Sequence, residues 1–124
     1  MGISDQFRRV DTSRPLRAAD IRVVLVGDDY PDTSYLDQGE LEAYRAGAFE
    51  FVGVYAKATV PIRGVLQAFR SGGVYGIEHW SNAATEAYLQ EVAGEEVSAL
   101  RDILGAVGVI VEGDDPDRFD FAHQ

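Results

Sequence analysis

The alternation of apolar and polar residues predicts several β-strands in the first two-thirds of the chain. The run Ile21–Val26 is almost continuously apolar and rich in β-branched residues, which is typical of a central, buried strand. Phe49–Val60 alternates and is rich in strand-forming residues. Pro61–Gly64 then predicts a turn, and Val65–Arg70 is expected to return as the partner strand. One face of Phe49–Val60 carries small apolar side chains, and the other carries Phe49, Phe51, Tyr55, Lys57 and Thr59.

A glycine-rich box follows the second strand of this hairpin. Ser71-Gly72-Gly73 is expected to break the strand or to form a bulge, because glycine weakens a strand interior. Val74–Trp80 is expected to resume as a short strand, of which we assign Val74–Ile77 to the sheet. The pattern therefore indicates a hairpin or a three-stranded meander.

Two other segments have the periodicity of helices. Gln38–Ala46 predicts a short helix with Leu41 and Tyr44 facing inward. Ala83–Ala106 predicts a long helix, because apolar residues recur there at helical spacing after an N-cap at Ser81 or Asn82. A glycine at position 94 costs about 1 kcal/mol relative to alanine in a helix interior, so a kink or a break into two helices remains an alternative.

Together these elements predict an α+β fold. A small antiparallel sheet of three to four strands packs against the long C-terminal helix, and the short helix lies at an edge. This single domain is expected to span residues 20–111, between an N-terminal arm at 1–19 and an acidic-aromatic tail at 112–124. The tail carries Phe119 and Phe121 among acidic residues. Either it is mobile and acts as a peptide ligand, or its two rings pack on the domain's own sheet.

Composition narrows the possible functions. The chain has 124 residues, 21 acidic against 11 basic side chains, a formal net charge of −10 and no cysteine. This excludes a disulfide framework, a thiolate metal site and a cysteine nucleophile. The charge argues against binding nucleic acid or an anionic membrane surface. Neither a secretory signal nor a long apolar run is visible, so the expected location is cytoplasmic.

The excess negative charge lies in three blocks. Residues 28–42 hold six acids and no base, residues 71–100 hold five acids and no base, and a third block follows Val111. The N-terminal arm instead holds four of the eleven bases. An array of carboxylates can imitate the phosphates of DNA and occupy a basic groove of another protein. The plainer alternative is that an acidic surface keeps a small protein soluble.

Few residues are candidates for catalysis or for binding a metal ion. Tyr75, Glu78 and His79 in the glycine-rich box would suit acid–base chemistry, but Glu78 and His79 are adjacent and point to opposite faces of a strand. The acidic loop Asp28–Asp32 would suit Mg²⁺, with a solvated turn as the alternative. With two histidines and no cysteine, zinc is not expected. We therefore predict no catalytic residue, no metal and no cofactor.

The stretch Gly47–Gly108 resembles a family of small, mostly uncharacterised bacterial and phage-borne proteins. The resemblance rests on the aromatic strand Phe49–Ala58, the box Ser71–Glu78, and the helical segments Tyr88–Val92 and Leu100–Gly108. It covers about half of the chain, and the glycine-rich box is its most specific part. The resemblance implies an origin in a phage or another mobile element and implies no reaction. In similar sequences a small polar residue more often follows the box, where this chain has a histidine.

These observations predict a non-enzymatic accessory protein, encoded by a phage or mobile element, that binds a host protein. Binding is expected through the acidic surface or through an exposed aromatic face of the sheet. One alternative is a small enzyme or ligand-binding domain centred on the box Ser71–His79. A further alternative is an acidic DNA mimic that acts on a basic nucleic-acid-binding protein. The candidate binding residues are Phe49, Phe51, Tyr55, Tyr75, Glu78 and Trp80.

Overall fold

Two layers, a five-stranded sheet and a long helix, form the body of the protein and confirm the predicted α+β class. The computed structural model describes residues 16–124. Two further short strands pair with each other beside the main sheet. The elements along the chain are β1 (Leu16–Arg17), β2 (Arg22–Gly27), α1 (Gln38–Arg45), β3 (Phe49–Ile62), β4 (Val65–Arg70), β5 (Val74–Trp80), α2 (Ala83–Ala106), β6 (Val111–Glu112) and β7 (Phe121–His123).

The 14-residue strand β3 is the centre of the main sheet. Along one side it pairs antiparallel with β2, from Arg22↔Lys57 to Gly27↔Val52. Along the other side its second half pairs with β4 and its first half with β5, so β4 and β5 together form one interrupted edge strand. The opposite edge is β7, which pairs parallel with β2. The prediction of three to four antiparallel strands therefore lacked a fifth strand, which is parallel to its neighbour.

One face of the sheet packs against α2 and forms the main core. The side chains of β3 on this face are small, which lets the helix lie close to the sheet, and β2 and β5 contribute further apolar side chains. The buried side chains of this core include Val23, Leu25, Val52, Val54, Ala56, Ala58, Ile77, Leu89, Val92, Val97, Leu100 and Leu104.

Helix α2 runs without a break over 24 residues, so the alternative of a split at Gly94 is wrong. Val92, Ala93 and Val97 on either side of the glycine are buried against the sheet, and this packing outweighs the propensity cost. Asn82 is the N-cap, as one of the two predicted candidates, and its side-chain oxygen accepts a hydrogen bond from Thr85 N at 2.8 Å.

The second face of the sheet is also covered, and the prediction of an exposed aromatic face is wrong for three of its residues. Phe49, Phe51 and Tyr55 are each at most 5% exposed. Helix α1 places the ring of Tyr44 beside those of Phe49 and Phe51, with centroid-to-centroid distances of 5.6 Å and 5.1 Å. The ring of Trp80 stacks on Phe49 at 4.3 Å. These rings are therefore a second small core rather than a binding surface.

Tyr55, the third of these residues, is covered by other elements of the chain. The guanidinium of Arg70 lies over its ring, with 3.7 Å between the guanidinium carbon and the ring centroid. The hydroxyl of Tyr55 donates a hydrogen bond to Oε1 of Gln124 at 2.8 Å. Arg70 and the C-terminal residue Gln124 thus cover Tyr55, which was predicted to face solvent.

The tail packs on the domain, so the alternative of a mobile peptide ligand is wrong. Phe119 and Phe121 pack against the main core, and β7 pairs with residues 23–25 of β2. The side-chain amide of Gln90 on α2 holds the backbone of Phe119 at both ends. Gln90 Nε2 donates to the carbonyl of Phe119 at 2.9 Å, and Phe119 N donates to Gln90 Oε1 at 2.7 Å. Residues 112–124 therefore belong to the folded domain.

The predicted N-terminal arm lies mostly outside the described residues. Its last part is structured: β1 pairs parallel with β6, with Leu16 opposite Val111 and Arg17 opposite Glu112. Leu16 is buried in the main core. The domain therefore begins earlier than residue 20. Neither α1 nor α2 has the length and apolar character that a bilayer-spanning helix needs.

The contact between Gln90 and Phe119 predicts a measurable contribution to stability. Gln90→Glu removes the side-chain amide that donates to the Phe119 carbonyl, so we expect the free energy of unfolding to fall by about 1–3 kcal/mol. Urea denaturation measures this change, and hydrogen exchange at residues 121–123 should become faster. The matched control is Gln67→Glu on the exposed strand β4, which adds the same charge and should change stability by less than about 0.5 kcal/mol. Equal effects of the two substitutions would contradict the proposed role of the Gln90 amide.

Candidate functional site

The loop between β2 and α1 lies against β5 and is bonded to it at two points. The backbone N–H of Gly76 donates to Asp28 Oδ2 at 3.0 Å. The hydroxyl of Tyr35 donates to Glu78 Oε2 at 2.5 Å. We call the accessible side chains of this region the loop–β5 face, which comprises Asp28, Asp29, Tyr30, Asp32, Tyr35, Tyr75 and Glu78.

The acidic residues of the loop organise its backbone. Asp28 Oδ1 accepts a hydrogen bond from Tyr30 N at 3.2 Å. Asp32 Oδ1 accepts from both the backbone N–H and the hydroxyl of Ser34, and these two bonds lower the pKa of Asp32. Asp37 caps α1 by accepting from Glu40 N at 2.7 Å. Each carboxylate closes a local turn, which explains why a loop without regular structure is rich in aspartate.

The same loop was a candidate for binding Mg²⁺. Within residues 16–124, no group of three or more His, Asp or Glu side chains is placed to hold a metal ion. The carboxylates of Asp28, Asp32 and Asp37 instead accept hydrogen bonds from nearby N–H and hydroxyl groups. These hydrogen bonds give each of the three carboxylates a role in forming a turn.

Glu78 is held at both carboxylate oxygens. Tyr35 donates to Oε2, and Trp80 Nε1 donates to Oε1 at 3.0 Å. Trp80 is itself half-buried, because its ring stacks on Phe49. The structure therefore brings two of the predicted site residues, Glu78 and Trp80, together with a tyrosine that the sequence reasoning did not single out.

His79 is separated from this group, as its position next to Glu78 in a strand predicts. Its Nδ1 lies 3.7 Å from Glu50 Oε1 on β3, and its Nε2 lies 3.6 Å from Glu86 Oε1 on α2. Since the two side chains point to opposite faces, Glu78 does not orient His79 for acid–base chemistry.

The ring of Tyr75 lies against two glycines, Gly53 in β3 and Gly73 in the connection between β4 and β5. A Cβ atom at Gly53 would lie 2.2 Å from Tyr75 Cδ1, and one at Gly73 would lie 2.7 Å from Tyr75 Cε2. Gly73 also has a φ of +87°, which an L side chain rarely adopts. The Tyr75 hydroxyl accepts a hydrogen bond from Arg70 Nη2 at 2.7 Å, and Arg70 in turn covers Tyr55. The glycine-rich box thus provides the space in which this half-exposed ring lies.

A buried polar contact behind the box was not found from the sequence. Ser71 and Glu96 are both buried. Glu96 Oε1 accepts hydrogen bonds from Ser71 Oγ at 2.8 Å and from Gly73 N at 2.7 Å. Ser71 Oγ also accepts from Ala56 N at 2.9 Å. The Ser71 hydroxyl therefore donates one hydrogen bond and accepts another inside the fold. The sequence signal for this contact was a glutamate, Glu96, on the apolar face of α2 that also carries Leu89, Ala93 and Leu100.

Exposure distinguishes the candidate binding residues. Phe49, Phe51 and Tyr55 are buried, whereas Tyr75 is 47% exposed on the loop–β5 face. Sequence reasoning missed Tyr30, which is 95% exposed, and Tyr35, which is 56% exposed. The signal for both was the presence of two tyrosines in an acidic loop without basic residues.

The bond between Tyr35 and Glu78 predicts an altered tyrosine titration. Desolvation, the hydrogen bond to Glu78 and the negative charges of Glu78, Glu40 and Asp32 raise the pKa of Tyr35 from 10.0 to about 12. Because the pKa is higher in the folded state, the stability that it contributes is complete below pH 10.0 and is lost as the pH rises to about 12.

Glu78→Gln should move the pKa of Tyr35 part of the way back towards 10.0, because the amide carries no charge. Ultraviolet absorbance of ionised tyrosine, followed against pH, measures this change. Tyr35→Phe identifies which part of the titration belongs to Tyr35 among the six tyrosines. An unchanged titration in Glu78→Gln would contradict the assigned contact.

The close approach of Tyr75 to Gly53 predicts coupled substitutions. Gly53→Ala should lower the free energy of unfolding by about 1–3 kcal/mol, because the new methyl group displaces the Tyr75 ring. In a Tyr75→Ala background the same substitution should cost much less. Urea denaturation of the parent, the two single variants and the double variant gives the coupling energy. Additive effects would show that the ring does not occupy this space.

Comparison of the chain with models of protein families, with curated proteins and with solved structures finds no match.

Proposed function

We propose that this chain is a non-enzymatic accessory protein that binds a basic segment of another protein through the loop–β5 face. In the context that the resemblance implies, the chain is encoded by a phage or mobile element, and the partner is a host protein. The observation that carries the proposal is the exposure of Tyr30, Tyr35 and Tyr75, which lie on an acidic loop and on the strand to which that loop is bonded.

Exposed tyrosines favour a role in protein binding. Tyr30 is almost fully exposed, and its ring stacks on no other aromatic ring in the described part of the chain. Packing inside the fold therefore gives no reason for a large aromatic side chain at this position. Tyrosine offers a large contact area and a hydroxyl at a small loss of side-chain entropy, and it is enriched at protein interfaces. A neighbouring group of such side chains is typical of a binding surface rather than of ordinary solvent exposure.

The charge of the face specifies the chemistry of the partner. Residues 28–44 contain no lysine or arginine. Arg70, the base that bonds to Tyr75, has its guanidinium over the ring of Tyr55. A surface with this balance attracts a basic segment, increases the rate of encounter and repels nucleic acid.

The loop is also held in place before any partner arrives. Asp28, Asp32 and Asp37 fix its turns, and the bonds to Gly76 and Glu78 fix it to β5. A surface that is ordered in advance loses little conformational entropy on association. The internal bonding of Ser71 and Glu78 likewise supports binding rather than catalysis, because both groups are engaged by the fold itself.

Binding of a basic peptide to the full-length chain tests the proposal. The probe is a fluorescent peptide of about ten alternating arginine and leucine residues, followed by anisotropy at low and moderate salt. Tyr30→Ser should weaken binding by about fivefold, which corresponds to roughly 1 kcal/mol. The matched control is Tyr88→Ser on α2, a half-exposed tyrosine outside the face, which should change the affinity by less than about twofold.

Two matched substitutions, each of which removes one negative charge, distinguish the remaining hypotheses. Asp29→Asn on the face should weaken binding more than Asp102→Asn, an equally charged substitution at an exposed position of α2. If both aspartates and salt affect binding but Tyr30→Ser does not, the acidic DNA-mimic hypothesis is favoured, and the tyrosine face is rejected. If Tyr30→Ser and Tyr88→Ser weaken binding equally, the face is also rejected.

A further inference from the structure

A pocket of about 360 Å³ lies on the side of the sheet that α2 covers, and none of its lining residues belongs to the loop–β5 face. Three parts of the chain enclose it: the turn and strand start at 18–23, the middle of α2, and the segment 114–120. Its volume is in the range of pockets that bind small organic groups.

The pocket has an apolar floor. Val23 and Val97 are buried there, and Ile21 and Phe119 are half-buried. The amide of Gln90 fixes the backbone of Phe119 through two hydrogen bonds, which holds this residue at the pocket. An aliphatic stem of a ligand would find van der Waals contact on all of these side chains.

The mouth of the pocket is acidic. Asp114, Asp115 and Asp120 line it, against a single base, Arg118. Arg101 neutralises Asp115, with 2.9 Å between Arg101 Nη2 and Asp115 Oδ1. The same nitrogen donates a hydrogen bond to the carbonyl of Gly113 at 3.0 Å. Asp114 and Asp120 form no ion pair with any residue in the described part of the chain.

We propose that this pocket binds an organic cation with an apolar stem, that is, an ammonium or guanidinium group carried on an aliphatic chain. The stem lies on Val97 and Phe119, and the cationic head faces the carboxylates of Asp114 and Asp120 at the mouth. An apolar floor with a charged rim fits this chemistry, because such a ligand buries its methylene groups and keeps its charge near water. Free alkylamines and the side chains of lysine or arginine share this chemistry.

Three probes with the same stem test the required charge. Hexylamine, hexanol and hexanoate are titrated into the full-length, nitrogen-15-labelled protein, and amide shifts at residues lining the pocket are followed. Hexylamine should shift Val97, Phe119 and Asp120, and it should bind at least about fivefold more tightly than hexanol. Hexanoate should bind most weakly, because the two unpaired carboxylates, Asp114 and Asp120, repel it and Arg118 alone attracts it. Equal affinities of the three probes, or preference for hexanoate, would overturn the proposal.

Substitutions with opposite expected signs locate the site. Asp114→Asn combined with Asp120→Asn should weaken hexylamine binding by about fivefold or more, and Arg118→Gln should strengthen it. The control for net charge is Glu91→Gln combined with Asp102→Asn, both exposed on α2 and outside the pocket lining, which should change the affinity by less than about twofold. A control as strong as the pocket variant would overturn the assignment.

An additional titration with a peptide distinguishes the two sources of the ligand, a free alkylamine and a basic side chain of another polypeptide. A short peptide with one arginine between alanines is compared with hexylamine in the same titration. Tighter binding of the peptide identifies a side chain of a partner polypeptide as the ligand, and tighter binding of the amine identifies a free small molecule. This result is independent of the loop–β5 face, because Tyr30→Ser should leave the amide shifts of the pocket unchanged.

Discussion

The buried carboxylate of Glu96 joins the two layers of the protein at the point where the edge strand is interrupted. Between β4 and β5 the backbone departs from regular pairing with β3. Two donors of this segment, Ser71 Oγ and Gly73 N, form hydrogen bonds to Glu96 Oε1 instead. Ser71 also continues the pairing to β3 by accepting from Ala56 N and by donating its own N–H to Ala56 O at 2.9 Å. An unsatisfied buried donor costs about 1–3 kcal/mol, so this contact is what makes the interruption tolerable.

Other features lie close to this interruption. The pairing of β5 with β3 is itself irregular, because its register shifts between Val52 and Val54. The glycines of the box then leave room for the Tyr75 ring on Gly53, and Tyr75 can reach Arg70. The contact inside the core and the tyrosine on the surface are therefore parts of one arrangement, in which a helix side chain fixes the backbone that presents an exposed ring.

Local patterns were sufficient for most elements, and contacts distant in sequence account for what they missed. The hairpin of β3 and β4, the long helix and its cap at Asn82 depend on neighbouring residues, and each was predicted from them. The burial of Phe49 and Phe51 depends on Tyr44 from another element, and the edge strand β7 depends on Gln90, 29 residues before Phe119. Alternation shows that a strand has two different faces, but it does not show which segment will cover the second one. For the loop–β5 face, Glu78 and Tyr75 were found because they lie in a conspicuous box, whereas Tyr35 meets Glu78 across 43 positions.

The parallel strand β7 also has a consequence for the order in which the protein folds. Strand β2 can pair with β3 once β3 has been made, but its other edge remains open until residues 121–123 have left the ribosome. An unpaired edge on a strongly apolar strand is a site at which nascent chains associate with one another. The nascent chain therefore carries this exposed edge while all the residues between β2 and β7 are made, and closure by β7 is a long-range step whose loop entropy slows folding relative to the pairing of β2 with β3.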